Sequence, residues 1–220
     1  MGHINLREYM LSQGDSLIDE VLEERRRGRE KRNMLLERAR NTINKFEGKT
    51  DYFYLDTKGN ISTAQGANVD NYDAFMGLDS YIGNRLSNVS EREATYNLLK
   101  NKKRKGEYGQ SYKAKYYEDL SPLRIKQETI DRLLNTHLEN DINSLQKTFP
   151  EFDDFPLPLQ EVLTDIHYNT GNVSQTNWPN LHQGIKTKNL SLIAKHVHRK
   201  DVQKERNDWA LKRIKSISKW

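Results

Sequence analysis

Two acidic residues, Glu47 and Asp56, have a spacing that suits acid–base chemistry. Glu47 follows the end of a helical pattern, and Asp56 follows the aromatic, strand-forming stretch "YFYL". A strand advances only about 3.3 Å per residue, so the intervening chain can bring the aspartate back to the side of the glutamate. A cleft with one protonated and one ionised carboxyl group can hydrolyse a glycosidic bond.

The surroundings of these two carboxyl groups predict different roles. Glu47 lies beside Phe46 at a helix end, where loss of water favours the protonated acid. Asp56 lies in the polar turn "DTKGN", where the ionised form is expected. Ser62 or Thr63, on the next strand, could hold the attacking water. Taken alone the pair is a weak signal, because solvated surface acids are common in a chain with 31 Asp and Glu.

A long helix and a hairpin must position these residues. Apolar residues recur at helical spacing over residues 16–46, and Ser16 can cap that helix. "YFYL" and "ISTA", joined by turn residues, predict a β-hairpin at residues 52–64. The basic run "RRRGREKR" within the helix is interpreted as a solvated face or a hinge at Gly28, with a polyanion site as the alternative.

The C-terminal half has the clearer helical periodicity. One apolar stripe from Glu128 predicts a long helix that ends before Pro150. The next helix begins at Pro158 and stops at Gly171. Shorter helices are predicted near residues 179–183, 190–197 and 209–217. The fold class is therefore α+β, dominated by helices, with one small hairpin.

Residues 70–122 are harder to interpret. They contain weak helical patterns, the basic cluster "KNKKRK" and the tyrosine-rich stretch "EYGQSYKAKYYED". Basic residues interleaved with aromatic ones could bind single-stranded nucleic acid. A surface insertion or lid is favoured, because no recognised nucleic-acid motif accompanies them.

The composition narrows the class of protein. An excess of Lys and Arg (36) over Asp and Glu (31) favours polyanionic partners, which include nucleic acid, anionic lipid and bacterial wall polymers. The absence of cysteine excludes disulfides and thiolate sites. "HVH" is the closest approach to a metal-ligand pattern and is interpreted as surface side chains, so neither a metal nor a cofactor is expected. No signal peptide or membrane span is predicted, and the chain is expected to be made in the cytoplasm.

Four segments, in order, resemble the phage-type lysozymes, the muramidase family typified by the T-even phage enzyme. "FEG", "YLDTKG" and "STAQGANV" resemble that family's catalytic segment. "LRIKQETIDRLLNTHLENDINSLQ" resembles its short strand and inter-lobe helix, and "PLQEVLTDIHYNTGN" its central helix. "WPNLHQGIKTKNLSLIAKHVHRKDVQKERNDWALKRI" resembles its C-terminal helices and polar turn. The resemblance covers residues 40–69 and 122–218.

This resemblance implies a small hairpin lobe and a helical lobe joined by a long helix. Residues 1–40 would be an N-terminal helical extension, and residues 41–220 the lysozyme-like catalytic domain. Residues 70–122 would be a divergent or inserted part of the small lobe.

The resemblance also implies roles, position by position. Glu47 matches the family's proton donor, Asp56 its water-activating aspartate, and Ser62 a threonine that positions water. Thr63 is one step out of register. The implied substrate-side residues are Thr63, Tyr168, Asn169, Gln203 and Arg206. One departure is "AQGA", which keeps only Gly66 of the family's Gly-x-Gly-His and puts specificity in question.

The expected function is a muramidase that acts on peptidoglycan glycan strands in the periplasm or cell wall. The chain would get there as an endolysin, a virion enzyme or an injected effector, with the N-terminal helix as a docking site for a delivery or immunity partner. Membrane insertion is not expected, and nucleic acid is a disfavoured partner. The alternatives are a basic polyanion-binding helical protein and a catalytically degenerate lysozyme fold that only binds glycan.

Overall fold

The computed structural model describes residues 6–200 and 202–220, with side chains from residue 18 onward. It is mostly helical (59%) with a small antiparallel sheet, so the predicted α+β class is confirmed. The described helices are α1 (Leu6–Phe46), α2 (Tyr72–Met76), α3 (Val89–Arg104), α4 (Gln127–Thr148), α5 (Leu157–Thr170), α6 (Pro179–Lys186), α7 (Leu190–His196) and α8 (Lys204–Lys215). The described strands are β1 (Thr50–Leu55), β2 (Ile61–Ala64), β3 (Ala67–Asn68), β4 (Tyr81–Ile82) and β5 (Arg85–Leu86), and 3-10 helices lie at Ala114–Tyr117 and Phe152–Asp154.

Helix α1 is longer than its periodicity predicts. It is already formed at Leu6 and passes through Ser16 and Gly28 without a break, so the predicted cap and hinge are both wrong. The N-terminal part of α1 exposes an apolar patch of three side chains. They are Ile18 (58% exposed), Val21 (47%) and Leu22 (53%).

The C-terminal part of α1 belongs to the body of the protein. Leu35, Ala39 and Ile43 are buried at four-residue spacing, which places them on one face of the helix. The domain boundary predicted at residue 40 therefore falls inside a helix that is already packed at residue 35.

The predicted hairpin is part of a three-stranded sheet. β1 pairs with β2, and β2 pairs with β3, all antiparallel, so a third short strand extends the hairpin. Segment 70–122 shares the core of this hairpin and is not a detached lid. The buried residues of this core are Phe53, Leu55, Ile61, Ala64, Val69, Phe75, Leu78, Leu99, Tyr117, Leu123, Ile125 and Ile130.

Helix α4 runs from this small core to a larger core formed by the C-terminal helices, which includes Leu163 and Ile214. Ile130 packs in the small core, Leu138 packs against α1, and Leu145 belongs to the large helical core. α4 ends at Thr148, two residues before the proline that the sequence identifies as its stop.

Helix α5 lies in the middle of the helical body. It ends at Gly171, which adopts the left-handed conformation (φ 79°) that the predicted stop requires. Its buried residues include five polar ones: Gln160, Glu161, Thr164, Asp165 and His167. Buried polar groups need partners, so this helix is where internal ion pairs are expected. Within the described ranges, none of the helices has the length and apolar character to cross a bilayer.

Candidate active site

Glu47 is held at the C-terminal end of α1. Its backbone N–H donates to the carbonyl of Ile43 at 2.8 Å, which continues the helical turn. Helix α8 fixes the same end: the rings of Phe46 and Trp209 meet edge to face with centroids 6.1 Å apart. The Glu47 side chain is 28% exposed, and Oε1 accepts a hydrogen bond from Nη1 of Arg206 at 2.5 Å.

Arg206 is buried and shared between two carboxylates. Its Nε donates to Oδ1 of Asp165 at 2.9 Å, and Nη2 lies 2.7 Å from the same oxygen. Burial acts to lower the pKa of Arg206, but the bonds to Asp165 and Glu47 prevail and raise it. The side chain is only 1% exposed, so in this structure the guanidinium of Arg206 contacts Asp165 and Glu47, and the predicted substrate contact stays a prediction.

A second arginine extends this ion pair. Arg199 Nη2 donates to Oδ2 of Asp165 at 2.6 Å, and both side chains are almost completely buried. The result is a series of alternating charges from Arg199 through Asp165 and Arg206 to Glu47. We call these four residues the charge chain.

Asp56 builds the hairpin turn with its own carboxylate. Oδ1 accepts the backbone N–H groups of Lys58 and Asn60, both at 2.8 Å, and Oδ2 accepts Nδ2 of Asn60 at 3.2 Å. The Asp56 carbonyl accepts the N–H of Gly59 at 3.0 Å. Asp56 is half-buried, so the carboxylate is oriented by the turn without being closed off.

Tyr54, on β1, responds to the charges of both predicted catalytic carboxylates. Burial raises its pKa to about 12, and the negative charges of Asp56 and Glu47 add to the rise.

The return strand presents Ser62 and Thr63 to opposite faces of the sheet. Ser62 is the cross-strand partner of Tyr54, so its side chain shares that residue's face, although it is only 1% exposed. Thr63 is completely buried and its hydroxyl donates to the Tyr52 carbonyl at 2.9 Å. The predicted substrate contact at Thr63 is therefore wrong in this structure, because that hydroxyl binds the hairpin itself.

Tyr168, in the last turn of α5, links the helical body to the sheet. Its hydroxyl donates to the carbonyl of Gln65 at 2.7 Å, and its ring stacks on His137 with centroids 4.4 Å apart. Burial raises the pKa of Tyr168, and the charge of Glu47 contributes, so Tyr168 also belongs to the cluster around Glu47. Asn169, the next residue, is exposed.

Gln203 also lies next to the proposed acid. It precedes α8, is exposed, and its Nε2 donates to the carbonyl of Phe46 at 3.3 Å. The structure thus brings Glu47, Asp56, Ser62, Tyr168 and Gln203 to one region.

Several residues of this region were missed by sequence reasoning. They are Tyr54, Gln65, His137, Asp141, Asp165 and Arg199. One signal was available: Asp165 is an acidic residue within the apolar pattern of α5, where an unpaired charge is costly. Asp141 is similar, since it is buried on α4 and bonds Nδ1 of His167 at 2.8 Å.

The two basic runs are partly neutralised by their own neighbours. Arg26 and Arg27 both pair with Glu23, at 2.8 and 3.0 Å. Lys102 pairs with Glu107 at 2.5 Å. These contacts reduce the charge that either run offers to a polyanion, so the nucleic-acid alternative gains no support.

Gly59 is where the hairpin turn meets segment 70–122. It has φ 77°, and a Cβ added there would lie 3.2 Å from the ring of Tyr108. Gly59→Ala is expected to cost about 1–2 kcal/mol of unfolding free energy through left-handed strain, and more through the contact with the ring. Because the Asp56 turn must shift, any activity of the site is expected to fall as well.

Gly66→Ala is the matched control for this change. Gly66 also has a positive φ (91°), but no atom lies within 4 Å of an added Cβ. Chemical denaturation of both variants separates strain from crowding. An equal loss of stability in the two variants would show that the Tyr108 contact is unimportant.

Compared with protein-family models, with curated proteins and with solved structures, the chain gives no match. Among the described residues, no group of three or more His, Asp or Glu is placed to hold a metal ion. The chemistry of the region is therefore judged from its side chains. Two carboxyl groups on separate elements, one of them paired with a buried arginine, are groups that can take part in acid–base hydrolysis.

Proposed function

We propose that the protein is a muramidase, a glycoside hydrolase that cleaves the β-1,4 bond between N-acetylmuramic acid and N-acetylglucosamine in peptidoglycan. The observation that carries this proposal is the placement of Glu47 at the end of α1, where its partly exposed carboxylate meets the buried Arg206 at 2.5 Å, with the carboxylate of Asp56 oriented by the hairpin turn that follows. The two carboxyl groups come from different elements and have different partners: Glu47 pairs with Arg206, and Asp56 accepts N–H groups of its own turn. The resemblance of residues 40–69 to the phage-type lysozymes supports the same assignment.

Glu47 would act as the general acid. It would donate its proton to the oxygen of the leaving sugar as the glycosidic bond breaks. Its side chain is 28% exposed, so it is not sealed from solvent. Arg206 would hold the carboxylate that remains after the proton has left.

Asp56 would activate the attacking water, with Ser62 as a second oxygen ligand for that water. The turn N–H groups orient the Asp56 carboxylate without supplying a positive charge. Attack by this water in a single displacement gives inversion when the two carboxyl groups stand far enough apart to admit it, and a closer pair gives retention. Ser62 is closed to bulk solvent, so it would act on an enclosed water.

The remaining contacts to the glycan strand would come from exposed residues around Glu47. Asn169 and Gln203 offer amide groups, which suit the acetamido and hydroxyl groups of the sugars. Tyr168 is only partly exposed, so it would contribute the part of its ring that His137 leaves uncovered. Thr63 and Arg206 are left out of this set because both are buried.

The experiment that tests the function is reducing-end release from purified peptidoglycan by the native chain and by Glu47→Gln. We expect the native chain to release reducing ends and the variant to release none, because glutamine cannot donate the proton. Glu139→Gln, at an exposed acid of α4, is the control and should keep full activity. Circular dichroism establishes that all three chains are folded.

Each other outcome has a definite meaning. Release by Glu47→Gln at the native rate would refute the assignment of the acid. No release by the native chain, across pH and wall types, would refute the enzyme. Retained binding to wall fragments in that case would favour a degenerate glycan-binding lysozyme fold.

We also propose that the protein reaches its substrate in the periplasm or cell wall by release or injection, with the exposed part of α1 docking a delivery or immunity partner. The exposed patch of Ile18, Val21 and Leu22 supports this, since adjoining exposed apolar side chains mark interaction sites. Deleting residues 1–22 is expected to abolish partner capture while leaving reducing-end release unchanged. Unchanged delivery and capture would refute the docking role. A deletion to residue 40 is unsuitable, because it removes buried Leu35 and Ala39.

A further inference from the structure

Within the charge chain, Asp165 bonds two different arginines with its two carboxylate oxygens. Asp165 directs Oδ1 toward Arg206 and Oδ2 toward Arg199. The exposed fractions of the three side chains are 2% for Asp165, 1% for Arg206 and 4% for Arg199. Because water is excluded, a change of charge at one member is felt strongly at the next.

We propose that Asp165 and Arg199 are positioning residues that set how firmly Arg206 holds the ionised form of Glu47. The inference rests on the proposed function, which gives the protonation of Glu47 its catalytic meaning. Arg206 has one positive charge to divide between two carboxylates. The negative charge of Asp165 weakens the electrostatic attraction between Arg206 and Glu47. The positive charge of Arg199 partly neutralises Asp165 and so reduces this weakening. Asp165 and Arg199 therefore act on Glu47 with opposite sign.

Other titratable groups also lie around Glu47. They include Tyr54 on β1, Asp56 at the hairpin turn, His137 on α4 and Tyr168 on α5, besides Asp165, Arg199 and Arg206 of the charge chain. Burial raises the pKa of Tyr54 and of Tyr168, so both hydroxyls are neutral where a carboxyl group titrates. Burial lowers the pKa of Arg199 and the charge of Glu47 opposes this, so those two groups also interact.

The chain contains a matched control for Asp165. Glu161 lies one helical turn earlier on α5 and is 4% exposed. It also bridges two arginines, Arg38 at 3.1 Å and Arg213 at 2.6 Å. The difference is that neither arginine pairs with Glu47. A variant of Glu161 therefore reports the general effect of neutralising a buried, doubly paired acid on this helix.

The test is a ¹³C-NMR titration of the Glu47 carboxyl group in the full chain labelled at glutamate, with the signal assigned from its loss in Glu47→Gln. In Asp165→Asn, Arg206 pairs with Glu47 alone, and the midpoint is expected to fall. In Arg199→Met, Asp165 is free to draw on Arg206, and the midpoint is expected to rise. In Glu161→Gln the midpoint of the Glu47 titration should be unchanged.

Enzyme activity gives a second readout. A general acid must be protonated, so the rate falls as pH rises through its pKa. The alkaline limb of the pH–rate profile is expected to move to lower pH in Asp165→Asn and to higher pH in Arg199→Met. A purely structural role would lower the rate at every pH and would leave this limb in place.

The outcomes separate this inference from the proposed function. Midpoint shifts of the same sign in the two variants, or an equal shift in Glu161→Gln, would overturn the inference. The NMR titration needs no turnover, so a native chain without activity would refute the muramidase and leave the positioning role measurable. If Asp165→Asn does not fold, an unchanged midpoint in Arg199→Met is by itself sufficient to reject the inference.

Discussion

Asp56→Asn is expected to lower reducing-end release by about 10²- to 10⁴-fold while leaving the fold intact. The amide oxygen of asparagine can still accept the N–H groups of Lys58 and Asn60, so the turn is kept. The negative charge that would activate water is lost. Steady-state rates on purified peptidoglycan, together with the midpoint of thermal unfolding, measure the two effects separately.

Asp56→Ala is the comparison that gives this result its meaning. Alanine removes every side-chain acceptor of the turn, so this variant should lose both activity and about 1 kcal/mol of unfolding free energy. Native-like rates in Asp56→Asn with low rates in Asp56→Ala would show that Asp56 only shapes the hairpin. The water-activating role would then have to be assigned elsewhere.

Arg206→Met is expected to give the largest loss of stability, about 3–5 kcal/mol of unfolding free energy. The buried guanidinium is the partner of Glu47 and one of two partners of Asp165, so its removal leaves Asp165 with half of its compensation. Methionine has a similar length and fills the space, which limits the effect to the charge. Urea denaturation monitored by circular dichroism gives the free energy.

Lys204→Met, on the same helix, is the control for this prediction. Lys204 pairs with Asp208 at 2.7 Å, but its side chain is 83% exposed, and pairs that water screens contribute little to stability. Equal losses of unfolding free energy in Arg206→Met and Lys204→Met would mean that the buried ion pairs of Arg206 stabilise the protein no more than an exposed pair does.

The elements that depend on local periodicity and on glycine or proline are the ones that the sequence predicts well. Helix α4 ends where Pro150 requires, α5 ends at Gly171, and the hairpin forms around Gly59. In each case a few neighbouring residues decide the outcome. Helix α1 is different, because its basic run carries no apolar signal. Exposed ion pairs such as Arg26 with Glu30, at 3.3 Å, give this part of the helix some support.

The site is only half predictable for a related reason. Glu47 and Asp56 lie close together in the chain, so the hairpin alone relates them. The charge chain joins Asp165 to Arg199 and to Arg206, which are 34 and 41 residues away. No local pattern specifies such pairings, because they depend on how α5 packs against α8. The burial of Thr63 likewise follows from the core beneath the sheet, which the sequence pattern of the strand does not describe.

Because α1 is continuous, it fixes the direction in which the exposed patch of Ile18, Val21 and Leu22 faces relative to the packed part of the protein. Each residue of an α-helix turns the chain by about 100° and advances it by about 1.5 Å. One residue inserted between the patch and Leu35 would therefore rotate the patch by about 100° about the helix axis, while Glu47 stayed in place. Seven inserted residues would return it to within about 20° of its original direction, displaced outward by about 10 Å. The direction in which the patch faces is thus determined by the number of residues in the helix, with no contact needed to hold it.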